Sequence, residues 1–304
     1  MADIRFDGKV AIVTGAGAGL GKVYALEFAK RGAKVVVNDL GSSRDGSGAA
    51  HNAADSVVDE IKKAGGEAVA NYDSVATVQG GENIVKTAVD AFGTVDILIN
   101  NAGILRDKSL LKMGEDEWDI IHNVHLKGAF CCTKPAFAVM REKGFGRIVF
   151  TTSGAGLYGN FGQANYAAAK TGLLGFMNVV GIEGAKYNIK ANTIAPIAAS
   201  RLTEDVMPPE FFKKLKPEFV MPLVVYLSSD QMNETGMIFN CGAGWYSRSA
   251  IVCAPGIALG DGNRDITPEE IQQNWGKIAS LSDAKYISNL GETFAFFTPL
   301  LQGK

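Results

Sequence analysis

The sequence is poor in the residues that build disulfide frameworks, metal centres and nucleic-acid surfaces. Its 304 residues include four cysteines and three histidines, and 30 lysines and arginines nearly balance 32 aspartates and glutamates. The formal net charge of −2 argues against a nucleic-acid partner, because such partners select basic surfaces. No apolar run reaches the roughly 18 residues of a membrane span, so none is predicted.

The few cysteines and histidines form no metal or redox motif. The cysteines lack C-x-x-C spacing and fall at Cys131, Cys132, Cys241 and Cys253. A reducing, intracellular setting is therefore the default expectation, and no charged-then-apolar signal segment precedes the first strand. His122 and His125 have a spacing that suits a metal, but no third ligand is evident, so no metal is predicted.

A strand, a glycine-rich turn, a helix and a second strand follow one another at the N-terminus. The apolar run 10–13 leads into the turn 14–21, a helical pattern covers 23–29, and the run 35–37 ends at Asp39. This order predicts a βαβ unit that binds a nucleotide. Its glycines let a pyrophosphate approach the backbone and the positive end of the helix.

The glycine spacing is G-x-x-x-G-x-G, formed by Gly15, Gly19 and Gly21. The strict G-x-G-x-x-G pattern is not met, because Leu20 and Lys22 stand where its third glycine is needed. A flexible glycine-rich loop is the plain alternative, but the strand, the helix and the acid around it favour a nucleotide site.

Asp39 predicts the cofactor. A carboxylate at the end of the second strand accepts hydrogen bonds from both ribose hydroxyls of an adenosine and repels a 2′-phosphate, which favours NAD over NADP. Lys22 and Arg44 are basic residues nearby that could offset the repulsion.

Strands alternate with helices along most of the chain. Beyond residue 39 the predicted helices are 53–64, 81–92, 115–140 (broken near Gly128 or Pro135) and 166–187, and the predicted strands are 67–72, 95–99, 147–151 and 190–194. Polar or glycine residues follow the strand ends at Gly15, Asp39, Asp73, Asn101, Ser153 and Pro196. The pattern predicts a doubly wound parallel sheet (Rossmann fold) with its ligands at the carboxyl edge.

The pattern changes near residue 250. We predict a dinucleotide-binding domain over 1–248 and a small helical extension over 249–304. In the extension, Thr267-Pro268-Glu269-Glu270 is a capping box that opens a helix ending near Ile278.

Tyr166 and Lys170 lie four residues apart, and Ser153 lies thirteen residues before Tyr166. Helical positions i and i+4 share a face, so an ammonium is predicted beside a phenol. A phenol has a pKa of ~10, and a nearby cation lowers it. With a serine hydroxyl to hold a substrate oxygen, the three indicate proton transfer to or from an alcohol. Alone, the pair also fits a helix face with a snorkelling lysine.

Four motifs occur in one order along the chain: Thr14-Gly15-x-x-x-Gly19-x-Gly21, Asn100-Asn101-Ala102-Gly103, Ser153 and Tyr166-x-x-x-Lys170. With them, roughly residues 6–245 resemble the classical short-chain dehydrogenase/reductase family. The segments 37–41, 102–107, 158–166 and 242–245 look like one branch of that family. That branch is the (3R)-hydroxyacyl-CoA dehydrogenase unit of type 2 peroxisomal multifunctional β-oxidation enzymes.

The resemblance implies an enzyme that oxidises (3R)-3-hydroxyacyl-CoA to 3-ketoacyl-CoA with NAD. It implies that Tyr166 is the general base, that Ser153 positions the substrate oxygen, and that Lys170 holds the nicotinamide ribose and lowers the pKa of Tyr166. The expected cofactor-binding residues are Thr14, Gly15, Gly19, Leu20, Gly21, Asp39, Asp73, Ser74, Asn101, Ala102, Gly103, Tyr166, Lys170, Pro196 and Ile197.

Two positions depart from the family pattern. His125 stands where a fourth catalytic residue, usually Asn, supports a water through its main chain, and we expect the proton relay to survive there. A packed helix residue is the other interpretation of His125. Pro196-Ile197 replaces the usual Pro-Gly after the strand.

The resemblance also implies a homodimer that pairs through the helix beginning at Tyr166, and a peroxisomal location. The chain ends in Gln302-Gly303-Lys304, which is not an S-K-L-type signal. Because the hydratase domain that often follows this unit is not in the sequence, we expect a fragment or a stand-alone relative. The open alternatives are a 3-oxoacyl carrier-protein reductase, a steroid or alcohol dehydrogenase, and an inactive nucleotide-binding or assembly module.

Overall fold

The computed structural model describes residues 3–43, 45–48, 52–198, 214–260 and 263–301. Within it the chain divides into two compact units, Met1–Arg248 and Ser249–Lys304. Arg44 and the C-terminal Gln302-Gly303-Lys304 lie outside the described residues.

The first unit contains a sheet whose first seven strands pair in parallel, in the order β3-β2-β1-β4-β5-β6-β7, with β8 beyond β7. The strands are β1 (Val10–Thr14), β2 (Lys34–Asn38), β3 (Glu67–Asn71), β4 (Ile97–Asn100), β5 (Gly146–Thr151), β6 (Ile189–Pro196), β7 (Ile238–Gly242) and β8 (Trp245–Ser249). The predicted doubly wound parallel fold is confirmed.

Eight helices of the described chain belong to this unit. They are α1 (Gly19–Lys30), α2 (Asn52–Lys63), α3 (Val78–Phe92), α4 (Glu115–His122), α5 (Gly128–Lys143), α6 (Gly154–Tyr158), α7 (Ala164–Gly184) and α8 (Met221–Leu227). Short 3₁₀ turns occupy Leu110–Lys112, Ala185–Tyr187 and Pro217–Phe219.

The sheet is buried on both faces because alternate side chains of each strand enter different cores. In β2, Val35 and Val37 pack with α1, α2 and α8, whereas Val36 packs with α3, α5 and α7. Strands covered on both faces read as continuous apolar runs, which explains their clear sequence signal. Because the first seven strands are parallel, their carboxyl ends meet at one edge.

The predicted helix 115–140 is interrupted directly before Gly128, one of the two places expected. A π-helical turn, Asn123–Lys127, separates α4 from α5, and Pro135 lies inside α5 without ending it. The turn contains His125, whose ring is bound to the backbone of Ile104. The sequence analysis also missed α6, α8, β7 and β8.

The second unit is small. Its strands β9 (Val252–Cys253) and β10 (Lys285–Tyr286) pair antiparallel, and its helices are α9 (Pro268–Ile278) and α10 (Leu290–Leu301). The predicted capping box is present, with the Glu270 amide donating to Thr267 and the Thr267 amide donating to Glu270. None of the side chains described in this unit is buried.

No helix in the described part of the chain has both the length and the apolar character that a bilayer crossing requires.

Candidate active site

Ser153, Tyr166 and Lys170 meet at the carboxyl edge of the sheet. Ser153 follows β5 and caps α6, where its hydroxyl accepts a hydrogen bond of 3.2 Å from the Ala155 amide. Tyr166 and Lys170 lie in the first two turns of α7, with the Lys170 Nζ 5.5 Å from the centre of the Tyr166 ring. The Ser153 hydroxyl is within hydrogen-bonding reach of the phenol. This arrangement places a hydroxyl, a phenol and an amine around one point.

Burial governs the protonation of the phenol and the amine. It raises the pKa of Tyr166 to about 12, against a smaller lowering by the Ser153 hydrogen bond. It lowers the pKa of Lys170 to about 7, because the ammonium is 3% exposed. The Lys170 Nζ donates to the Thr151 carbonyl oxygen at 2.5 Å.

Burial sets the direction of the Tyr166 pKa shift, and the lowering expected from Lys170 stays a prediction. Sequence spacing places the amine near the phenol but does not show how far each group is removed from water, and removal from water favours the neutral form of each. Any cation brought against the phenol acts in the opposite direction and favours the phenolate.

His125 is buried and turned towards the backbone of Ile104. Its Nε2 lies 2.8 Å from the Ile104 carbonyl oxygen and 3.2 Å from the Ile104 amide nitrogen. Its ring meets the Tyr166 ring edge to face at 5.1 Å between centroids. Burial, followed by the nearby Lys170 charge, lowers the pKa of His125 well below its usual range, so the imidazole is neutral at pH 7.

A small cavity of about 10 Å³ lies behind Lys170, and both His125 and Thr151 line it. Two polar atoms of its lining are buried and have no protein partner: His125 Nδ1 and Thr151 Oγ1. A buried polar atom without a partner is costly, and a space of this size suits one water molecule.

Thr14 and Asn101 join the ends of β1 and β4. The Thr14 hydroxyl accepts from the amides of Asn101 and Ala102 at 3.0 and 3.1 Å and donates to the Ile99 carbonyl at 3.2 Å. The Asn101 amide group donates to the carbonyls of Thr14 and Gly15 at 2.9 and 3.1 Å. These bonds fix the glycine turn against the next loop of the site.

The glycines of this turn are required by close approaches. A Cβ on Gly15 would lie 2.8 Å from the Ala102 Cα, and one on Gly21 would lie 2.2 Å from the Gly15 carbonyl oxygen. Gly19 has a φ of +54°, and a Cβ there would meet nothing within 4 Å. Leu20 lies between Gly19 and Gly21, in the first turn of α1.

Gly17 is a site residue that the sequence analysis missed. A Cβ there would lie 2.8 Å from Asp39 Oδ2 and 2.7 Å from the Ala53 Cβ. Its only signal in the sequence is an extra glycine inside an already glycine-rich turn.

Asp39 holds two loops. Its Oδ2 accepts from the Gly17 amide at 2.8 Å, and its Oδ1 accepts from the Gly41 amide at 2.7 Å. Of the two basic residues that could offset its charge, Lys22 forms an ion pair with Glu60 at 2.7 Å, and Arg44 lies outside the described residues.

Asp73 lies at the edge beside β3 in a network of amides. Its two carboxylate oxygens accept from Asn71 and Asn83, each at 2.8 Å, and its main-chain carbonyl accepts from Asn38 at 2.9 Å. Ser74, the next residue, accepts from the Ala76 amide at 3.3 Å.

Pro196 ends β6, and Ile197 follows with its amide donating to the Cys241 carbonyl at 2.8 Å. A Cβ on Gly242 would lie 2.2 Å from the Ile197 carbonyl oxygen, so β7 supports this segment closely. Gly103 lies against His125, since a Cβ on Gly103 would be 2.5 Å from the His125 Cε1.

These residues fit a nicotinamide dinucleotide. The N-cap of α1, Ala18, makes no side-chain cap, so the first amides of that helix are free to donate to a phosphate. Asp39 lies one strand away, where an adenosine ribose would sit, and Tyr166 and Lys170 lie at the opposite end of the same edge.

Comparisons with known proteins agree with the geometry. The profile of the short chain dehydrogenase family matches residues 9–207. A peroxisomal multifunctional enzyme A of Dictyostelium discoideum is 56% identical over 95% of the chain and 64% of its own length. The chain belongs to the short-chain dehydrogenase family. It is therefore an oxidoreductase, and members of this family typically use NAD or NADP to oxidise or reduce small molecules.

Two solved structures are similar. The full-length peroxisomal multifunctional enzyme type 2 of Drosophila melanogaster is 42% identical, with a TM-score of 0.83, over 98% of this chain and 50% of that one. A short chain dehydrogenase of Mycobacterium avium is 43% identical, with a TM-score of 0.77, over 90% and 97%. The resemblance to the family and to its peroxisomal branch is confirmed. The chain spans about half to two thirds of the peroxisomal enzymes named here.

Proposed function

We propose that the protein oxidises (3R)-3-hydroxyacyl-CoA to 3-ketoacyl-CoA with NAD, as the dehydrogenase step of fatty-acid β-oxidation. The observation that carries this is the meeting of Ser153, Tyr166 and Lys170 at the sheet edge that also holds Asp39. The names of relatives, peroxisomal multifunctional enzymes, support a peroxisomal location.

In this mechanism the Ser153 hydroxyl hydrogen-bonds the substrate 3-hydroxyl and places it against the phenol. Tyr166, as phenolate, takes the proton from that hydroxyl as the C3–H bond breaks. NAD, when bound, would supply the hydride acceptor and a positive charge near the phenol. Lys170 donates to the ribose, and its own charge favours the phenolate. Orientation and electrostatics supply the rate.

His125 completes a proton path in this proposal. With Nε2–H donating to the Ile104 carbonyl, the His125 Nδ1 is an acceptor facing the cavity behind Lys170. A water there would hydrogen-bond His125, Thr151 and Lys170, and would carry the proton away from Lys170.

NAD is the proposed cofactor because Asp39 is fixed at the end of β2 by two backbone amides. A 2′-phosphate at this point would meet a carboxylate that cannot turn away. Lys22 is paired with Glu60, which makes its charge less available to offset that repulsion.

A substrate panel tests the proposal. Purified protein with NAD or NADP is offered a 3-hydroxyacyl-CoA, a 3-hydroxyacyl carrier protein, a hydroxysteroid and a simple secondary alcohol, and NADH or NADPH formation is followed. We expect turnover of the CoA ester with NAD to be at least tenfold higher than turnover with any other combination of substrate and cofactor. Preference for the carrier protein with NADP would replace the proposal by a biosynthetic reductase. NAD binding without turnover would favour the inactive module.

We also propose a homodimer formed through α7. Two apolar residues one turn apart on this helix are exposed, Val179 at 51% and Ile182 at 57%. Light scattering at micromolar concentration should give twice the chain mass of 32.2 kDa. A monomer would contradict the dimer.

A further inference from the structure

The loops that follow β2 and β4 are joined by a contact outside the residues assigned above. Arg106 Nε donates to the Asp45 main-chain carbonyl at 2.6 Å. Beside it, a Cβ on Gly46 would lie 2.9 Å from the Ile104 side chain and 3.5 Å from that of Ile120. The two loops therefore touch through one charged hydrogen bond and one close apolar contact.

Sheet order determines what this contact crosses. In the order β3-β2-β1-β4, β1 lies between β2 and β4, and all four strands end at one edge. A bond from the loop after β2 to the loop after β4 must pass across the line of β1. The glycine turn that receives the pyrophosphate lies at the end of β1.

Distances allow such a crossing. Two strand spacings separate β2 from β4, which is about 10 Å. Six residues from Asp39 to Asp45 reach up to about 20 Å when extended. Described residues of both loops line a groove of about 500 Å³.

The loop is also internally shaped for this contact. The Asp45 carboxylate accepts from the Ser47 amide at 3.0 Å and from the Ser47 hydroxyl at 2.7 Å. Gly46 has a φ of +86°, which other residues rarely adopt. This turn presents the Asp45 carbonyl towards Arg106 and leaves room for Ile104.

We infer that Arg106 is a positioning residue that fastens residues 45–48 across the dinucleotide site and slows dissociation of the cofactor. The inference rests on the proposed use of a nicotinamide dinucleotide. Arg106 acts through the Asp45 backbone and need not touch the substrate or the reacting atoms.

The test measures NADH release from Arg106→Met, Arg106→Lys and a matched control, Lys108→Met. Lys108 lies two residues further along the same segment and pairs with Glu117 at 2.6 Å, away from the Asp45 contact. Stopped-flow fluorescence gives the NADH dissociation rate, and hydrogen exchange in the absence of NADH reports on residues 45–48.

We expect Arg106→Met to release NADH at least fivefold faster and to exchange faster at residues 45–48. Arg106→Lys should fall in between, because lysine can restore one donor, and Lys108→Met should stay within twofold of the unsubstituted protein. Unchanged release from Arg106→Met would overturn the inference, whether or not exchange increases. If the unsubstituted protein binds neither NADH nor NADPH, the proposed function fails as well, so the two failures are distinguishable.

Discussion

A buried cation lies at each end of β5, and the two cations differ in how many hydrogen-bond acceptors surround them. At the amino end, Arg147 is 1% exposed and donates to the carbonyls of Ser229, Gly146 and Asn188, each at 2.9 Å. Its guanidinium also lies 4.4 Å from the centre of the Phe145 ring. Just beyond the carboxyl end, Lys170 has one protein acceptor described, the Thr151 carbonyl.

The difference separates a structural charge from a reactive one. Burial lowers the pKa of Arg147 as well, but a guanidinium keeps its proton, and its three carbonyl acceptors tie three segments together. Lys170 is desolvated with little compensation, which brings its pKa to about 7. Unpaired polar atoms also cluster near Lys170, at His125 Nδ1 and Thr151 Oγ1. Incomplete solvation in a buried site characterises functional positions.

Tyr166→Phe should produce the largest effect at the carboxyl edge. Removing the phenol oxygen deletes the general base, so turnover should fall by about 10³ or more, while NAD affinity changes little. Steady-state kinetics and calorimetric NAD binding measure the two quantities. The partly exposed Tyr226→Phe serves as a control and should keep normal turnover. Persistent activity in Tyr166→Phe would remove Tyr166 from its catalytic role.

Arg147→Met should instead destabilise the fold at the amino end of β5. It leaves three carbonyls without their donor, and we expect the free energy of unfolding to drop by about 2–4 kcal/mol. Turnover per folded molecule should stay within about twofold, since the site lies at the other edge. Urea unfolding, with the exposed Lys62→Met as control, checks this. A loss of turnover with normal stability would show that the two ends are not separate.

Lys170→Met should change how stability depends on pH. Because the pKa of Lys170 is about 7 in the folded protein and near its ordinary value of 10.5 when unfolded, the unfolded chain binds more protons between these values. The stability contribution of Lys170 therefore rises with pH, at up to about 1.4 kcal/mol per pH unit between pH 7.5 and 9.5. Urea unfolding at three pH values should show this rise and its loss in the variant. Equal slopes would mean that Lys170 is solvated.

Thr151→Val should have the smallest effect on stability and turnover, and it tests whether the unpaired hydroxyl at the carboxyl end of β5 takes part in proton transfer. The change removes a hydroxyl that has no protein partner, so stability should shift by no more than about 1 kcal/mol. If a water links this hydroxyl to His125 and Lys170, turnover should fall a few-fold and its pH profile should move. Unchanged kinetics would remove Thr151 from the proton path.

The fold was predictable where its signal is local. Short apolar runs predicted most strands, and helical periods predicted most helices, with bounds within a few residues of those in the structure. The glycine spacing and Asp39 located the βαβ unit. The break near Gly128 was expected, but the π-helical form of the turn Asn123–Lys127 was not predictable, because it accompanies the contact between His125 and Ile104. That contact joins residues 21 positions apart in the chain.

The sequence predicted which residues form the site, but not the directions of their pKa shifts. Spacing placed Tyr166 and Lys170 on one helix, but the direction of their pKa shifts depends on how deeply the surrounding helices bury them. The need for Gly17 likewise depends on Asp39 and Ala53, which reach it only in the folded chain. Such effects belong to tertiary packing and leave no mark on local sequence.

The most direct test of the account is NADH formation from the separate (3R) and (3S) isomers of a 3-hydroxyacyl-CoA. The reaction proceeds only if the substrate hydroxyl reaches Ser153 and Tyr166 while its C3–H bond points to the cofactor. The cofactor in turn must be one that Asp39 accepts. We predict turnover with the (3R) isomer and NAD, with little from the (3S) isomer or with NADP. Equal rates with both isomers, or a preference for the (3S) isomer, would contradict the account.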